Sequence, residues 1–345
     1  MFIRSTGIIS PQSSFSELLK EPVVYTSNRL TCIEPDYSKI LDPKLIRRMS
    51  HIIKMGVAAA MECLKDAGID NPDAIITGTA YGCLADTESF LTKMVENKEE
   101  LLTPTAFIQS THNTVGAQIA LMLKCHNYNN TFVHRGFSFE NSLLDAISLI
   151  GNGEASNVLA GGVDEITSIS HSVLSRFGLY KRSAVSSADI LYSNSKGTIA
   201  GEGAAFFLLT DQPSEKDYAE LNAVRTFYKP AGIDEIKQNI LSFVDEQSFN
   251  IDDIDIIICG RNGDLNNDSV YNELDQSLFS NKTTIGYKQL CGEYPTSSAF
   301  ALWLAANSLK TGQVPGATVN KRPESILIYN HYQNIHHSLY LLSAC

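Results

Sequence analysis

A chain of 345 residues, 43% hydrophobic and 19% charged, holds enough apolar material for one large domain or two fused halves. Its net charge of −11 argues against a general nucleic-acid binder, which needs clustered Lys and Arg, and against docking on an anionic membrane surface. Seven scattered cysteines include no CxxC pair, so neither a zinc site nor a disulfide framework is expected, and a reducing, cytoplasmic setting fits. The start, MFIRSTGIISPQSS, lacks a charged region followed by a long apolar core, so no signal peptide is expected there. No apolar run approaches the ~20 residues that span a bilayer, so no membrane insertion is expected.

The predicted elements begin with a short strand, FIRSTGII. After a loop-rich segment, a long helix is expected from about Ile46 to Ala67, where Ile53, Val57, Ala60 and Leu64 recur at helical spacing and Gly68 stops the run. DAIITGTAYG at 73–82 reads as a buried strand breaking at glycines. NTVGAQIALML, from Asn113, is a second helix, and NNTFVHR is a strand leading into a tight turn at Gly136. Beyond that turn come a buried helix, a Gly-rich break and a strand carrying Gly161-Gly162.

The second half echoes this plan. GTIAGEGAAFFLLTD at 197–211 is a glycine turn feeding a buried strand. DIDIIICG at 253–260 echoes DAIITG at 73–78, and TSSAFALWLAANSLKTGQVPG at 296–316 echoes NSLLDAISLIGNGEASNVLAGG at 141–162. The polar stretch between about 212 and 252 is expected to be surface excursions. The echo predicts an α/β protein of two pseudo-repeated βα halves, residues 1–196 and 197–345, forming one compact unit.

Six segments in order resemble the β-ketoacyl synthases, condensing enzymes of the thiolase-like fold. RRMSHIIKMGVAAAMECLKDAGI resembles the helix that begins R-M-D and ends D-A-G-[IL]. TPTAFIQSTHNTVGAQIAL resembles the P…N-T-x-A-x-x-I-A segment. The elbow helix with Gly161-Gly162, then Gly201-Glu202-Gly203-Ala204, resembles the G-G and G-E-G-A pieces. GRNGDLNND at 260–268 resembles the H-G-T…N-D loop, and KQLCGE at 288–293 the K-S-x-x-G-H loop. The resemblance covers nearly the whole chain and implies a five-layered αβαβα sandwich. By the same resemblance NNTFVHR pairs across a dimer interface, so His134 and Arg135 are expected to point at a partner.

An active synthase of this kind uses a cysteine that attacks an acyl thioester, and two histidines that stabilise the enolate formed on decarboxylation. Matched residue by residue, the cysteine falls on Gly136, the first histidine on Gly260 and the second on Glu293. No cysteine lies between Cys125 and Cys259, and no histidine between His171 and His331, so no slip of register restores the triad. Gly136 forms no covalent intermediate, and an ionised Glu293 opposes an enolate. Lys288 matches the family's active-site lysine and is expected either to pair with Glu293 or to act in catalysis.

Other residues near the elbow carry two readings each. Ser138 is a substitute nucleophile or, preferably, the N-cap of a 139–150 helix. Cys291 lies near the expected cavity, and a lone cysteine there is most simply a small buried hydrophobe. Phe137 and Phe139 stand where active members have small residues, and filling or gating of the acyl tunnel is favoured over chemistry. His331, His336 and His337 have a superficial metal spacing, but no Cys/Asp cluster completes a site. They lie in YNHYQNIHHSLYLL, where the family has a Gly- and Phe-rich gating loop. Neither a metal nor a cofactor is expected.

The resemblance implies a catalytically silent homologue, similar to chain-length factors. Such a subunit pairs with an active ketosynthase, shapes the acyl tunnel and helps dock acyl carrier protein in fatty-acid or polyketide synthesis, aryl polyene pathways included by analogy. An acidic carrier has local basic spots to meet at Arg47-Arg48 or Lys321-Arg322. Two alternatives stay open: an active condensing or acyl-transfer enzyme using Ser138, Cys291 or Lys288, and a non-catalytic acyl-binding homodimeric scaffold.

Overall fold

The apolar run Ala74–Gly78, AIITG, is buried along its whole length, as a strand covered on both faces must be. A computed structural model, describing residues 1–317 and 321–345, places that strand inside a ten-stranded sheet built from two equivalent halves. The first half holds Phe2–Ile9, Ala74–Gly78, Tyr128–Phe132, Asn157–Asp164 and Gly203–Thr210. The second holds Ala219–Tyr228, Ile256–Cys259, Thr283–Gly286, Ser325–Tyr332 and His336–Ser343. Numbered by chain position, the strands of each half lie in the order third, second, fourth, fifth, first. In each, the second strand runs parallel to the third and fourth, and the fifth runs antiparallel to the fourth and first. The halves join where their first strands pair antiparallel, Phe2 opposite Glu220 and Ile3 opposite Ala219.

Helices Ser138–Gly151 and Ser298–Thr311 hold the middle, each packing on strands of both halves and on the other. The second is SAFALWLAANSLKT, buried almost all round, which is what a helix enclosed by sheets and a neighbouring helix requires. Helix His51–Ala67 covers the outer face of the first half, and helices Ile233–Glu246 and Ser269–Asp275 contribute the outer core of the second. Strand Ser325–Tyr332 shows the layering directly. Ile326 and Ile328 face the central core, while Leu327 and Tyr329 face the outer one. The result is the five-layered αβαβα sandwich of the thiolase-like fold.

Three expectations are corrected. The topological repeat begins at Ala219 rather than 197, because Gly203–Thr210 hydrogen-bonds between Phe2–Ile9 and Asn157–Asp164 and so completes the first half. The 212–252 stretch is not a set of surface excursions. It carries strand Ala219–Tyr228 and the amphipathic helix Ile233–Glu246, which buries Ile236, Ile240, Phe243 and Val244. The long helix starts at His51, not Ile46. Pro43–Ile46 forms a separate turn capped by Asp42, and extended backbone at Ser50 (ψ 173°) separates the two. No helix among the described residues is long and apolar enough to cross a membrane.

Candidate functional site

The elbow starts at the sheet's edge strand, Tyr128–Phe132, whose first two residues are exposed. The chain then turns through Arg135–Phe137, a single 3-10 turn, into helix Ser138–Gly151. Arg135 has φ of 49°, a left-handed conformation that costs a non-glycine residue about 1–2 kcal/mol. Ser138 is the helix's first residue rather than its N-cap, and its hydroxyl turns back into the bend. It accepts from the His134 amide at 2.8 Å and donates to the Arg135 carbonyl at 2.9 Å. Both bonds stay within the turn, and neither supplies the general base that a serine nucleophile needs.

A nucleophile at Gly136 has no room. A Cβ built there would lie 2.6 Å from Tyr332 Cβ and 3.1 Å from both His336 Cβ and Tyr332 Cδ1. Phe137 closes the same corner. Its ring meets His336 edge-on at 4.7 Å, with His134 and Tyr228 further out. Tyr332 is 4% exposed. Burial first, then the neighbouring Tyr180, Tyr81 and Glu293, holds its phenol well above its usual pKa.

The two positions that the resemblance matches to histidines, Gly260 and Glu293, hold other contacts. A Cβ at Gly260 would collide with Asn330 Oδ1 and come within 2.6 Å of the Tyr271 hydroxyl. Asn330 is held there by the Tyr287 hydroxyl, which donates to its Oδ1 at 2.9 Å. Glu293 forms a buried ion pair with Lys288, Nζ to Oε2 at 2.7 Å, and the same oxygen accepts from Asn262 Nδ2 at 2.6 Å. Lys288 also reaches the His331 carbonyl, and the Tyr180 hydroxyl donates to the Glu293 carbonyl at 3.3 Å. Glu293 Oε1 is buried without a partner. A carboxylate facing an ammonium is a charge-balanced plug, not an oxyanion hole, whose donors must point at developing negative charge.

The structure thus gathers Gly136, Gly260, Glu293 and Lys288 around one strand end. Asn330 and Tyr332 are two residues apart and point to the same face of that strand, which is how one strand serves two positions. Sequence reasoning missed both, together with Asn262 and Tyr180. The signal present was YNHY, which lies where the resemblance implies a Gly- and Phe-rich loop.

The other candidates fall outside this cluster's chemistry. Phe139 packs in the central core against Phe207 and Tyr340. Cys291 is fully buried, and burial pushes its thiol well above the usual range, with Glu293 adding to the rise and Lys288 opposing it. Such a thiol is a poor nucleophile. The three late histidines are structural. His331 Nε2 bonds the Asn267 carbonyl while its ring stacks on Tyr271. His337 bonds the Tyr329 hydroxyl, and His336 packs on Phe137. Among the described residues, no three His, Cys, Asp or Glu side chains gather as a metal would require.

Two buried carboxylates tie the elbow's surroundings together. Asp164 accepts from the Ala80 amide, the Thr79 hydroxyl and both the amide and hydroxyl of Thr296, joining the two halves. Burial raises its pKa to about 6 against those hydrogen bonds. Glu202, from the G-E-G-A motif, accepts from the amides of Cys32 and Ile166 and contacts His51 at 3.0 Å. Burial works to lower the His51 pKa, but the Glu202 hydrogen bond and charge, with Glu34 and Glu165, overcome it and raise it to about 9.

The sequence profile of the β-ketoacyl synthase N-terminal domain matches residues 9–214. No curated protein matches the chain by sequence. Solved structures do match its fold. The ishigamide ketosynthase/chain length factor superimposes with TM-score 0.84 at 16% identity, covering 100% of this chain and 98% of its own. A type II polyketide acyl-carrier protein in complex with its ketosynthase, AntDE:AntF, gives TM-score 0.74 at 18% identity, with 100% and 99% covered. A β-ketoacyl synthase from Burkholderia phymatum gives TM-score 0.77 at 14% identity, with the same coverage.

Proposed function

The chain belongs to the β-ketoacyl synthase family, and we propose that it is a catalytically silent member acting as a chain-length-factor-like partner of an active ketosynthase. One observation carries the reading. The volume of a nucleophile at Gly136 is occupied by Tyr332, while an ion pair, Lys288–Glu293, takes the second-histidine position. The lack of room for a side chain at Gly136 and a paired carboxylate at Glu293 support the loss of both acylation and enolate stabilisation.

What remains is a scaffold with a usable edge. Tyr128–Phe132 ends the sheet with unpaired backbone groups, and Tyr128 and Val133 are exposed beside it. Pairing of that edge with the equivalent strand of a ketosynthase would cover it and bring the elbow, His134 and Arg135 to the interface. The similar structures support the reading, since one is described as a ketosynthase/chain length factor and another as an acyl-carrier protein with its ketosynthase. An acidic acyl carrier protein would meet the exposed Arg47-Arg48 pair on the same half. The pathway is one that extends an acyl chain on such a carrier, of fatty-acid or polyketide type.

Size-exclusion chromatography with and without a ketosynthase encoded alongside this chain tests the proposal. A heterodimer that forms on co-expression, with condensation in the mixture and none in this chain alone, is expected. A stable homodimer indifferent to the synthase would contradict the pairing and favour a homodimeric scaffold.

A further inference from the structure

On helix Ser168–Arg176, the residues His171, Ser172, Ser175 and Arg176 share one face, being four apart in pairs. With Asn28 and Arg182 they line an open pocket of about 490 Å³. Two features set this pocket apart from solvated surface. First, His171 and Ser175 are 8% and 7% exposed, and the atoms His171 Nε2 and Ser175 Oγ are buried with no hydrogen-bond partner among the described residues. Native proteins rarely leave such atoms unmatched. Second, the arginines are free. Neither Arg176 nor Arg182 joins a salt bridge among the described residues, nor does Arg29, whose guanidinium reaches Ser168 at 3.3 Å and whose charge acts on His171. Two arginines lining one pocket, with the charge of Arg29 acting on His171 beside it, run against the overall balance of a chain of net charge −11.

We propose that this pocket binds the phosphate group of a small phosphate ester. A tetrahedral oxyanion matches what the site lacks. Its oxygens accept the planar forks of Arg176 and Arg182, and the His171 imidazole and Ser175 hydroxyl in the same lining are the further donors it would draw on. The C-terminal end of the helix is close by, so the guanidiniums and not the helix dipole supply the attraction. The pocket is also coupled to the closed elbow. The His171 ring stacks on Tyr180 at 5.7 Å, and Tyr180 donates to the Glu293 carbonyl. A bound ester would be linked through two rings, His171 and Tyr180, to the backbone of Glu293 in the Lys288–Glu293 pair. The inference is independent of whether the chain pairs with a ketosynthase.

Isothermal titration calorimetry with inorganic phosphate and with glycerol 3-phosphate tests it, using glycerol and ionic-strength-matched chloride as controls. Saturable binding of both phosphate probes and of neither control is expected. Tighter binding of glycerol 3-phosphate marks an ester as the ligand, and tighter binding of inorganic phosphate marks the free anion. The pair of changes Arg176→Ala and Arg182→Ala should weaken binding by about 10–100-fold. Arg176→Lys, which keeps the charge but loses the fork, should give an intermediate loss. Both arginines are exposed at the pocket rim, and circular dichroism checks that the variants fold. Absence of saturable binding, equal response to chloride, or unchanged affinity in the double variant would overturn the proposal.

Discussion

Restoring the missing cysteine should harm this protein. In Gly136→Cys, the new Cβ arrives 2.6 Å from Tyr332 Cβ and 3.1 Å from His336 Cβ, against a comfortable carbon–carbon separation of about 3.5–4.0 Å. The backbone cannot yield easily, because Ser138 ties the turn to His134 and Arg135. Overpacking of this kind costs about 1–3 kcal/mol. At about 2–4 °C per kcal/mol for a sizeable domain, the melting temperature should fall by roughly 2–12 °C. Tyr332→Gly, destabilising alone through the cavity it opens, should relieve the clash, so the double variant should be more stable than the sum of the singles predicts. A thermal-melt double-mutant cycle should therefore give a favourable coupling of about 1–3 kcal/mol. A Gly136→Cys protein as stable as the parent, with its thiol acylated by an acyl thioester, would refute the claim that the elbow is filled.

Further outcomes follow from the same site. Glu293→Gln leaves the buried Lys288 ammonium unpaired and should cost about 3–5 kcal/mol in urea unfolding, while adding Lys288→Met should recover most of it. The raised pKa of His51 means its contribution is complete below about 6.5 and is lost as pH rises toward about 9. Stability should therefore decline across that window, and His51→Gln should flatten the decline. Asp164 and Glu165, with pKa values raised to about 6 and 7 by burial, act lower, losing their contribution as pH rises from about 4. Arg135→Gly removes the left-handed strain at φ 49°, which outweighs glycine's extra freedom in the unfolded chain, and should stabilise the fold by up to about 1 kcal/mol in urea unfolding.

The parts of the fold legible in the sequence were those with strong local signals. DAIITG and DIDIIICG read as paired strands because continuous apolar runs stopped by glycine leave few alternatives, and they occupy equivalent places in the two halves. Helix Ile233–Glu246 was missed although Ile236, Ile240, Phe243 and Val244 recur at helical spacing, because its polar face dominates the composition. At the site, pairing with Glu293 was one of two readings open for Lys288, and the structure shows that ion pair. Tyr332 and Asn330 were not, because they lie far along the chain from Gly136 and Gly260; the parallel pairing of Ser325–Tyr332 with Ile256–Cys259 brings Asn330 beside Gly260, and the end of the same strand sets Tyr332 against Gly136. Ser138 misled for a local reason. A serine next to a helix start suits a cap, but the 3-10 turn before it offers nearer partners for its hydroxyl.

The central claim, that this synthase scaffold carries no working acylation site, is tested most directly by intact-protein mass spectrometry. The chain is mixed with the ketosynthase proposed as its partner and with acyl-loaded carrier protein, and each subunit is weighed. The account predicts an acyl adduct on the ketosynthase and an unchanged mass for this chain. An adduct on this chain, mapped by peptide sequencing to Ser138, Cys291 or any other residue at the elbow, would contradict it.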